Sequence, residues 1–120
     1  MYKSFQDMPI WKESMELAVK IYHLSESFPK VENYSLTSQI RRSTLSISAN
    51  IAEAFGRYHA KEKINFYYFA RGSITETQSH LIYSRKVGYI KTDVSLKLID
   101  ELEKIMTDLN KIIISLRHIT

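Results

Sequence analysis

The 120-residue sequence contains no cysteine, only three glycines and two prolines, and no long apolar run. Without cysteine, the chain cannot form disulfides, Cys-ligated zinc sites, Fe–S clusters or thiol nucleophiles, and its composition suits a reducing compartment. No apolar stretch approaches the roughly 20 residues that span a bilayer, and the first ten residues lack the apolar core of a signal peptide. We therefore expect a cytoplasmic protein with no membrane partner. The scarcity of glycine and proline predicts few loops and long helices.

Four segments show the periodicity of amphipathic helices, and helix-breaking residues lie between them. Apolar residues recur at spacings of three and four, most regularly in the last segment, as on the buried face of a bundle helix. The short connections favour antiparallel neighbours. The sequence predicts one all-α domain over residues 1–120, an antiparallel up-down-up-down four-helix bundle. Its helices are expected at about 9–28, 36–57, 61–87 and 93–118.

Three residues predict helix boundaries. Asp7 is the expected N-cap before Pro9, and Ser35 is the expected N-cap of the second helix, because their side-chain oxygens can accept from free backbone N–H groups. Gly88 is expected in the left-handed conformation that ends the third helix.

The register of helices two and three places specific residues opposite one another. If the chain turns back near residue 59, facing positions have numbers that sum to roughly 118, so that Arg42 lies opposite Glu76 and Ser46 opposite Gly72. A glycine inside a helix costs about 1 kcal/mol relative to alanine. The expected reason is a tight crossing of the two helices at Gly72, and Gly72→Leu is expected to destabilise the fold severely.

The net charge of +4 is concentrated in the middle of the chain. Residues 1–34 and 92–120 each carry a net charge of −1, whereas residues 35–91 carry +6. Tyrosines lie among these basic residues, and such a mixture is typical of surfaces that contact phosphates and stack on bases. The alternative is a solvated bundle face whose tyrosines are mostly core. The residues predicted to contact nucleic acid are Arg41, Arg57, Tyr58, Lys61, Lys63, Arg71, Arg85 and Lys86, with Tyr68 as an alternative stacking residue.

The residues of known catalytic and metal sites are mostly missing. A di-metal carboxylate bundle needs about four inward carboxylates and two Glu-x-x-His pairs, but the four histidines are scattered and no Glu-x-x-His occurs. Glu76 and His80 share one helix face, which is too little for a metal site. The serines between residues 43 and 48 are interpreted as helix-contact residues rather than nucleophiles. We expect no cofactor, no metal and no enzymatic activity.

Asn50 and Glu53 are polar residues in a small and apolar stretch of the second helix. A partly buried polar pair must be hydrogen-bonded, so we interpret Asn50, Glu53, Arg42 and Glu76 as members of a structural polar network. The alternative is that Glu53 binds a ligand or acts as a catalytic carboxylate with a raised pKa.

The sequence also resembles a known family over nearly its whole length. The resemblance lies in residues 28–57, FPKVENYSLTSQIRRSTLSISANIAEAFGR, followed by Phe66, ARGSITE and GYI. It is similar to the four-helix-bundle proteins encoded within intervening sequences of bacterial 23S ribosomal RNA genes. The residues that carry it are Phe28, Pro29, Glu32, Tyr34, Leu36, Gln39, Arg41, Arg42, Ser46, Ile47, Asn50, Ile51, Ala52, Glu53, Gly56, Arg57, Phe66, Ala70, Gly72, Ser73 and Glu76.

The resemblance implies a left-handed antiparallel bundle that assembles into a cyclic homo-oligomer, a pentamer, with a basic surface for nucleic acid. A related bundle is an accessory subunit of the reverse transcriptase of diversity-generating retroelements, and the family has no established catalytic residues. We therefore expect a non-enzymatic ring that binds RNA or DNA with little sequence preference. The alternative is a protein-interaction scaffold that recruits a partner such as a nucleic-acid enzyme, through the broad apolar face of helix one.

Overall fold

The computed structural model describes residues 1–119 and consists of four long helices with two short 3-10 turns. The helices are α1 (Pro9–Ser25), α2 (Leu36–Gly56), α3 (Ala60–Lys86) and α4 (Thr92–Arg117). The bounds of α2, α3 and α4 agree with the sequence prediction to within one residue. α1 ends three residues earlier than expected, and residues 26–29 lead instead into the 3-10 turn Lys30–Glu32.

Two of the three predicted boundary residues are confirmed. The Ser35 hydroxyl accepts from the backbone N–H of Leu36, and Gly88 has a φ of 87°, the left-handed conformation. The prediction for Asp7 was wrong, because Asp7 lies within the 3-10 turn Phe5–Asp7 and Met8 is the N-cap of α1. Met8 makes no side-chain capping bond. Pro9, which has no N–H to satisfy, begins the helix instead.

Side-chain pairs between helices show that each helix runs antiparallel to the next. Along α2 and α3, Arg42 pairs with Glu76 and Lys63 contacts Ala54. Between α1 and α4, Lys20 pairs with Glu101 and Lys104 with Glu13. The Ser95 hydroxyl of α4 donates to the Leu81 carbonyl of α3, and Arg41 of α2 bonds Ser25 at the end of α1. The fold is therefore an up-down-up-down four-helix bundle with dimensions of 46 × 23 × 20 Å.

The core lies along the bundle axis and consists mainly of isoleucine and leucine. Each helix contributes fully buried side chains at helical spacing, and each such side chain stabilises the fold by about 1.5–3 kcal/mol relative to its exposed state. The completely buried isoleucines and leucines are Ile21, Ile40, Ile47, Ile51, Ile74, Leu81, Leu102 and Leu109. Among residues 1–119, no helix is both long and apolar enough to cross a membrane.

The contact between α2 and α3 differs from the one predicted at Gly72. Gly72 is exposed, and a Cβ added there would meet no atom within 4 Å. The two helices are joined instead at Ser43 and Thr77, whose buried hydroxyls are hydrogen-bonded at 2.8 Å. Ala70 is buried on the inner face of α3. Gly72 comes two positions later, and two residues rotate the helix by about 200°, so Gly72 lies on the outer face. The tight crossing expected at Gly72 is therefore wrong, and the reason for expecting a severe effect of Gly72→Leu is removed with it.

Candidate nucleic-acid interface

The α2–α3 connection brings together four of the predicted nucleic-acid-binding residues. Arg57 and Tyr58 lie in the connection itself, and Lys61 and Lys63 lie in the first turn of α3. The Tyr58 side chain is 89% exposed, and Lys61 is exposed beside it. We call this part of the molecule the α2–α3 end; it also contains the start of α1 and the end of α4, because the helices are antiparallel.

Arg57 and Lys63 have partners within the chain. The Arg57 guanidinium pairs with Glu53 at 3.3 Å and Glu62 at 4.0 Å, and it lies 4.7 Å from the centroid of the Phe66 ring. The Lys63 ammonium donates to the carbonyls of Ala54 and Phe55 at 3.1 Å, and so caps the last turn of α2. The carboxylates offset the charge of Arg57, whereas Lys63 has no carboxylate partner among residues 1–119 and its charge is offset only in part, by the negative end of the α2 dipole.

A second group of cations surrounds Tyr68, two turns along α3. The guanidinium carbons of Arg71 and Arg117 each lie 5.7 Å from the centroid of the Tyr68 ring, and Arg117 also donates to the Tyr68 hydroxyl. The ring is partly exposed. These two guanidinium groups flank one aromatic ring and continue the surface of the α2–α3 end, although cation–π contacts occupy part of the ring.

The remaining predicted residues lie elsewhere. Arg85 and Lys86 are in the last turn of α3, about 37 Å from Lys61 at 1.5 Å per residue. Arg41 faces α1, where its guanidinium donates to the Ser25 hydroxyl at 2.7 Å and lies 4.1 Å over the Tyr22 ring. The single basic surface expected for the central hairpin is therefore divided between the two ends of the bundle and its α1 side.

The predicted polar network is divided into two separate groups. Arg42 pairs with Glu76 at 2.5 Å, as the register predicted, and also bonds the Gln39 side chain, while His80 contacts the same carboxylate at 3.2 Å. Asn50 instead donates to the Ser46 carbonyl of its own helix. Glu53 is exposed and pairs with Arg57. The interpretation of Asn50 and Glu53 as one partly buried pair is wrong, because Glu53 points away from the core toward the α2–α3 end.

The opposite end of the bundle is held by Glu32. Its carboxylate accepts from the Ser35 hydroxyl at 2.7 Å, the Tyr89 hydroxyl at 2.8 Å and the Leu36 N–H at 3.3 Å. The Ser35 bond is the main cause of a lowered pKa for Glu32, with the Tyr89 bond next, and the same contact with Glu32 raises the pKa of Tyr89. These bonds tie the α1–α2 connection to the α3–α4 connection, so we name this region the α3–α4 end.

Two features of the surface were not predicted from the sequence. Arg117 joins the site from α4, outside the basic hairpin; the register argument used for α2 and α3, applied through the turn at Gly88, places it at the α2–α3 end, level with the start of α3 rather than with Tyr68. The second feature is a groove of about 570 Å³ between α1 and α2, lined by Met15, Ala18, Val19, Tyr22, Arg41, Arg42 and Leu45. In the part of the chain that the structure describes, no group of three or more potential metal ligands occurs.

The fold and its surface define a small all-α bundle whose α2–α3 end carries cations beside the exposed tyrosines Tyr58 and Tyr68. The family model of the 23S rRNA-intervening sequence protein matches residues 6–111, and the chain belongs to this family. A solved structure with the same fold is a protein of unknown function from the S23 ribosomal protein family of Bacteroides thetaiotaomicron. It is 28% identical to this chain, with a TM-score of 0.80 over 87% of this chain and 97% of that one. No curated protein matches the chain.

Proposed function

We propose that the protein is a non-enzymatic, ring-forming bundle that binds RNA or DNA with little sequence preference through its α2–α3 end. The single observation that supports this most strongly is the group of Lys61, Lys63 and the exposed Tyr58 at that end, continued by Arg71 and Arg117 around Tyr68. Lysine and arginine bind phosphates irrespective of sequence, and an exposed aromatic ring can stack on any base. The proposed compartment is the cytoplasm, in keeping with a cysteine-free chain.

The proposed assembly is a homo-oligomeric ring, a pentamer in keeping with the family. Its support in this chain is the apolar surface of α1 and α2, where Val19, Tyr22 and Leu45 are each about half exposed. A ring would also repeat the α2–α3 end in every subunit, which strengthens the field that attracts a polyanion.

The second candidate function is a protein-interaction scaffold that recruits a nucleic-acid enzyme. The observation that favours it is the same apolar groove, since exposed apolar patches of this kind mark sites of protein contact. Under this alternative the cations of the α2–α3 end serve only to solvate the bundle.

Binding to a labelled mixed-sequence RNA, followed by fluorescence anisotropy across a salt series, separates these functions. If the α2–α3 end contacts phosphates, the logarithm of the affinity falls linearly with the logarithm of salt concentration. We expect Lys61→Glu to weaken binding at least tenfold at about 50 mM salt, because it replaces an attraction to phosphate with a repulsion.

Lys97→Glu is the matched control, since Lys97 is an exposed lysine of α4 and lies toward the other end of the bundle. It makes the same change in net charge and is expected to alter the affinity less than twofold. Equal losses in both variants would show that only net charge matters, and undetectable binding of the wild type at low salt would leave the scaffold as the function.

A further inference from the structure

The groove between α1 and α2 is an apolar surface that no side chain of residues 1–119 covers. Val19 of α1 is 50% exposed and Leu45 of α2 is 56% exposed, and Met15 and Ala18 complete its apolar lining. In a single chain, these side chains remain in contact with water, which is unfavourable in proportion to their apolar area. The volume of about 570 Å³ is enough to receive several side chains of a helix.

The rim of this groove is positively charged. Arg41 donates to the Ser25 hydroxyl and the Tyr22 carbonyl and lies over the Tyr22 ring, so that its partners among residues 1–119 are neutral groups and no carboxylate is paired with its charge. Arg42, on the other side of the groove, is held by Glu76. The groove is therefore complementary to a helix that presents apolar side chains together with carboxylates.

The outer face of α4 has this chemistry. Leu96, Asp100 and Glu103 follow one another at spacings of four and three, so they share one face of the helix. Leu96 is 50% exposed. Within residues 1–119, Asp100 forms no ion pair, and Glu103 accepts only from the neutral Gln78 amide. α4 as a whole is acidic, with five carboxylates and four basic residues.

The two surfaces cannot meet within one molecule. Among the described residues, α2 and α4 make no contact, because they lie diagonally across the bundle with α1 and α3 between them. A surface on one side of a molecule that fits a different surface on its other side joins copies head to tail, and such contacts close into a ring when the rotation between copies permits.

We propose that the α1–α2 groove of one copy receives the outer face of α4 from the next copy. Leu96 enters the apolar groove beside Val19 and Leu45, and the carboxylates of Asp100 and Glu103 face Arg41 at the rim. This inference rests on the proposed self-association and specifies the two surfaces that produce it.

Native mass measurement on surface variants tests the contact. Leu45→Asp places a carboxylate in the apolar groove, and Leu96→Asp replaces the apolar side chain that enters it. Each variant is expected to be a monomer at a concentration where the wild type is a ring. Val19→Asp, on the opposite wall of the groove, is expected to behave as Leu45→Asp does. Phe69→Asp is the matched control, because Phe69 of α3 is 58% exposed and lies outside both surfaces; it is expected to remain a ring.

Mixing the variants tests the head-to-tail arrangement. A Leu45→Asp monomer keeps an intact α4 face and a Leu96→Asp monomer keeps an intact groove, so an equimolar mixture is expected to form a one-to-one dimer and nothing larger. If the two monomeric variants fail to pair, the head-to-tail arrangement is wrong, because the wild-type assembly must then join two copies of the same surface. If Leu45→Asp and Val19→Asp stay rings, the groove is not the interface although the ring stands; if the wild type is monomeric at micromolar concentration, the ring itself is wrong.

Discussion

At the scale of single residues, Gly72 occupies an exposed position in the middle of α3 and has no contact that requires a missing side chain. Its backbone is helical, and a Cβ would meet nothing within 4 Å. Glycine in an exposed helix interior is destabilising by about 0.5–1 kcal/mol relative to alanine. The cost is therefore not offset inside the chain.

We expect Gly72→Ala to raise the free energy of unfolding by about 0.5–1 kcal/mol, measured by chemical denaturation at dilute protein concentration. Ala49→Gly is the mirror-image control, because Ala49 is exposed within α2, and it is expected to lower stability by a similar amount. A loss of stability in Gly72→Ala that grows with protein concentration would contradict the single-chain argument and indicate a contact between copies at this residue.

Glu32 shows how one side chain positions a whole connection. The carboxylate accepts from two hydroxyls and one backbone N–H, and the Tyr89 bond joins parts of the chain that are 57 residues apart. The pKa of Glu32 is lowered in the folded state, first by Ser35 and then by Tyr89. A carboxyl group with a lowered pKa stabilises the fold above its ordinary pKa, and this contribution is lost as the pH falls through the folded value.

At the scale of elements, Glu32 links the N-terminus of α2 to the turn after α3, and its lowered pKa predicts that the stability gained from this link depends on pH. We expect the difference in unfolding free energy between the wild type and Glu32→Gln to be constant above about pH 5 and to shrink as the pH falls below about 4.5. Tyr89→Phe removes one of the three donors to the Glu32 carboxylate, so it is expected to reduce the amount by which the unfolding free energy changes with pH.

Chemical denaturation between pH 3 and pH 7 measures these differences. Glu16→Gln serves as the control, because Glu16 is an exposed glutamate on α1, away from this tie. A gap between wild type and Glu32→Gln that widened on acidification would have the wrong sign and would refute the role given to the carboxylate.

The elements themselves could be predicted well because each boundary and buried face has a local cause. Ser35 and Gly88 mark ends through their own backbone and side-chain chemistry, and the core follows the apolar spacing of each helix. Register arithmetic also predicted the Arg42–Glu76 pair. It failed at Gly72 because a numerical sum gives the level of a residue along the bundle, whereas its direction depends on the rotation of the helix.

The candidate site was less predictable for a related reason. Charge counted along the sequence places Lys61 and Lys86 in one basic segment, but a straight helix of 27 residues separates them by most of the bundle length. The partners of Arg57 and Lys63 likewise depend on the three-dimensional turn. Arg117 comes from another helix altogether. The sequence shows which segments are rich in charged residues, but the packing of the helices determines which of these residues lie on the same surface.

At the scale of the whole molecule, the proposed ring and the proposed nucleic-acid site have a joint consequence. The bundle is about 23 Å wide, so neighbouring copies packed side by side would present equivalent α2–α3 ends at about that separation. A strand stacked as in a duplex, with a rise of about 3.4 Å per nucleotide, covers this distance in roughly seven nucleotides. A longer strand can therefore contact two subunits, and the second contact benefits from a high effective concentration.

We expect a 30-nucleotide RNA to bind the wild-type ring more than tenfold tighter than a 6-nucleotide RNA of the same composition, as measured by fluorescence anisotropy at about 50 mM salt. The monomeric Leu45→Asp variant offers one site only, so its preference for the longer strand is expected to fall to the few-fold factor that comes from the greater number of binding positions. Phe69→Asp keeps the ring and is expected to keep the full preference. If Leu45→Asp is monomeric and still prefers the long strand as strongly as the wild type does, the strand does not bridge subunits, and each bundle binds it alone.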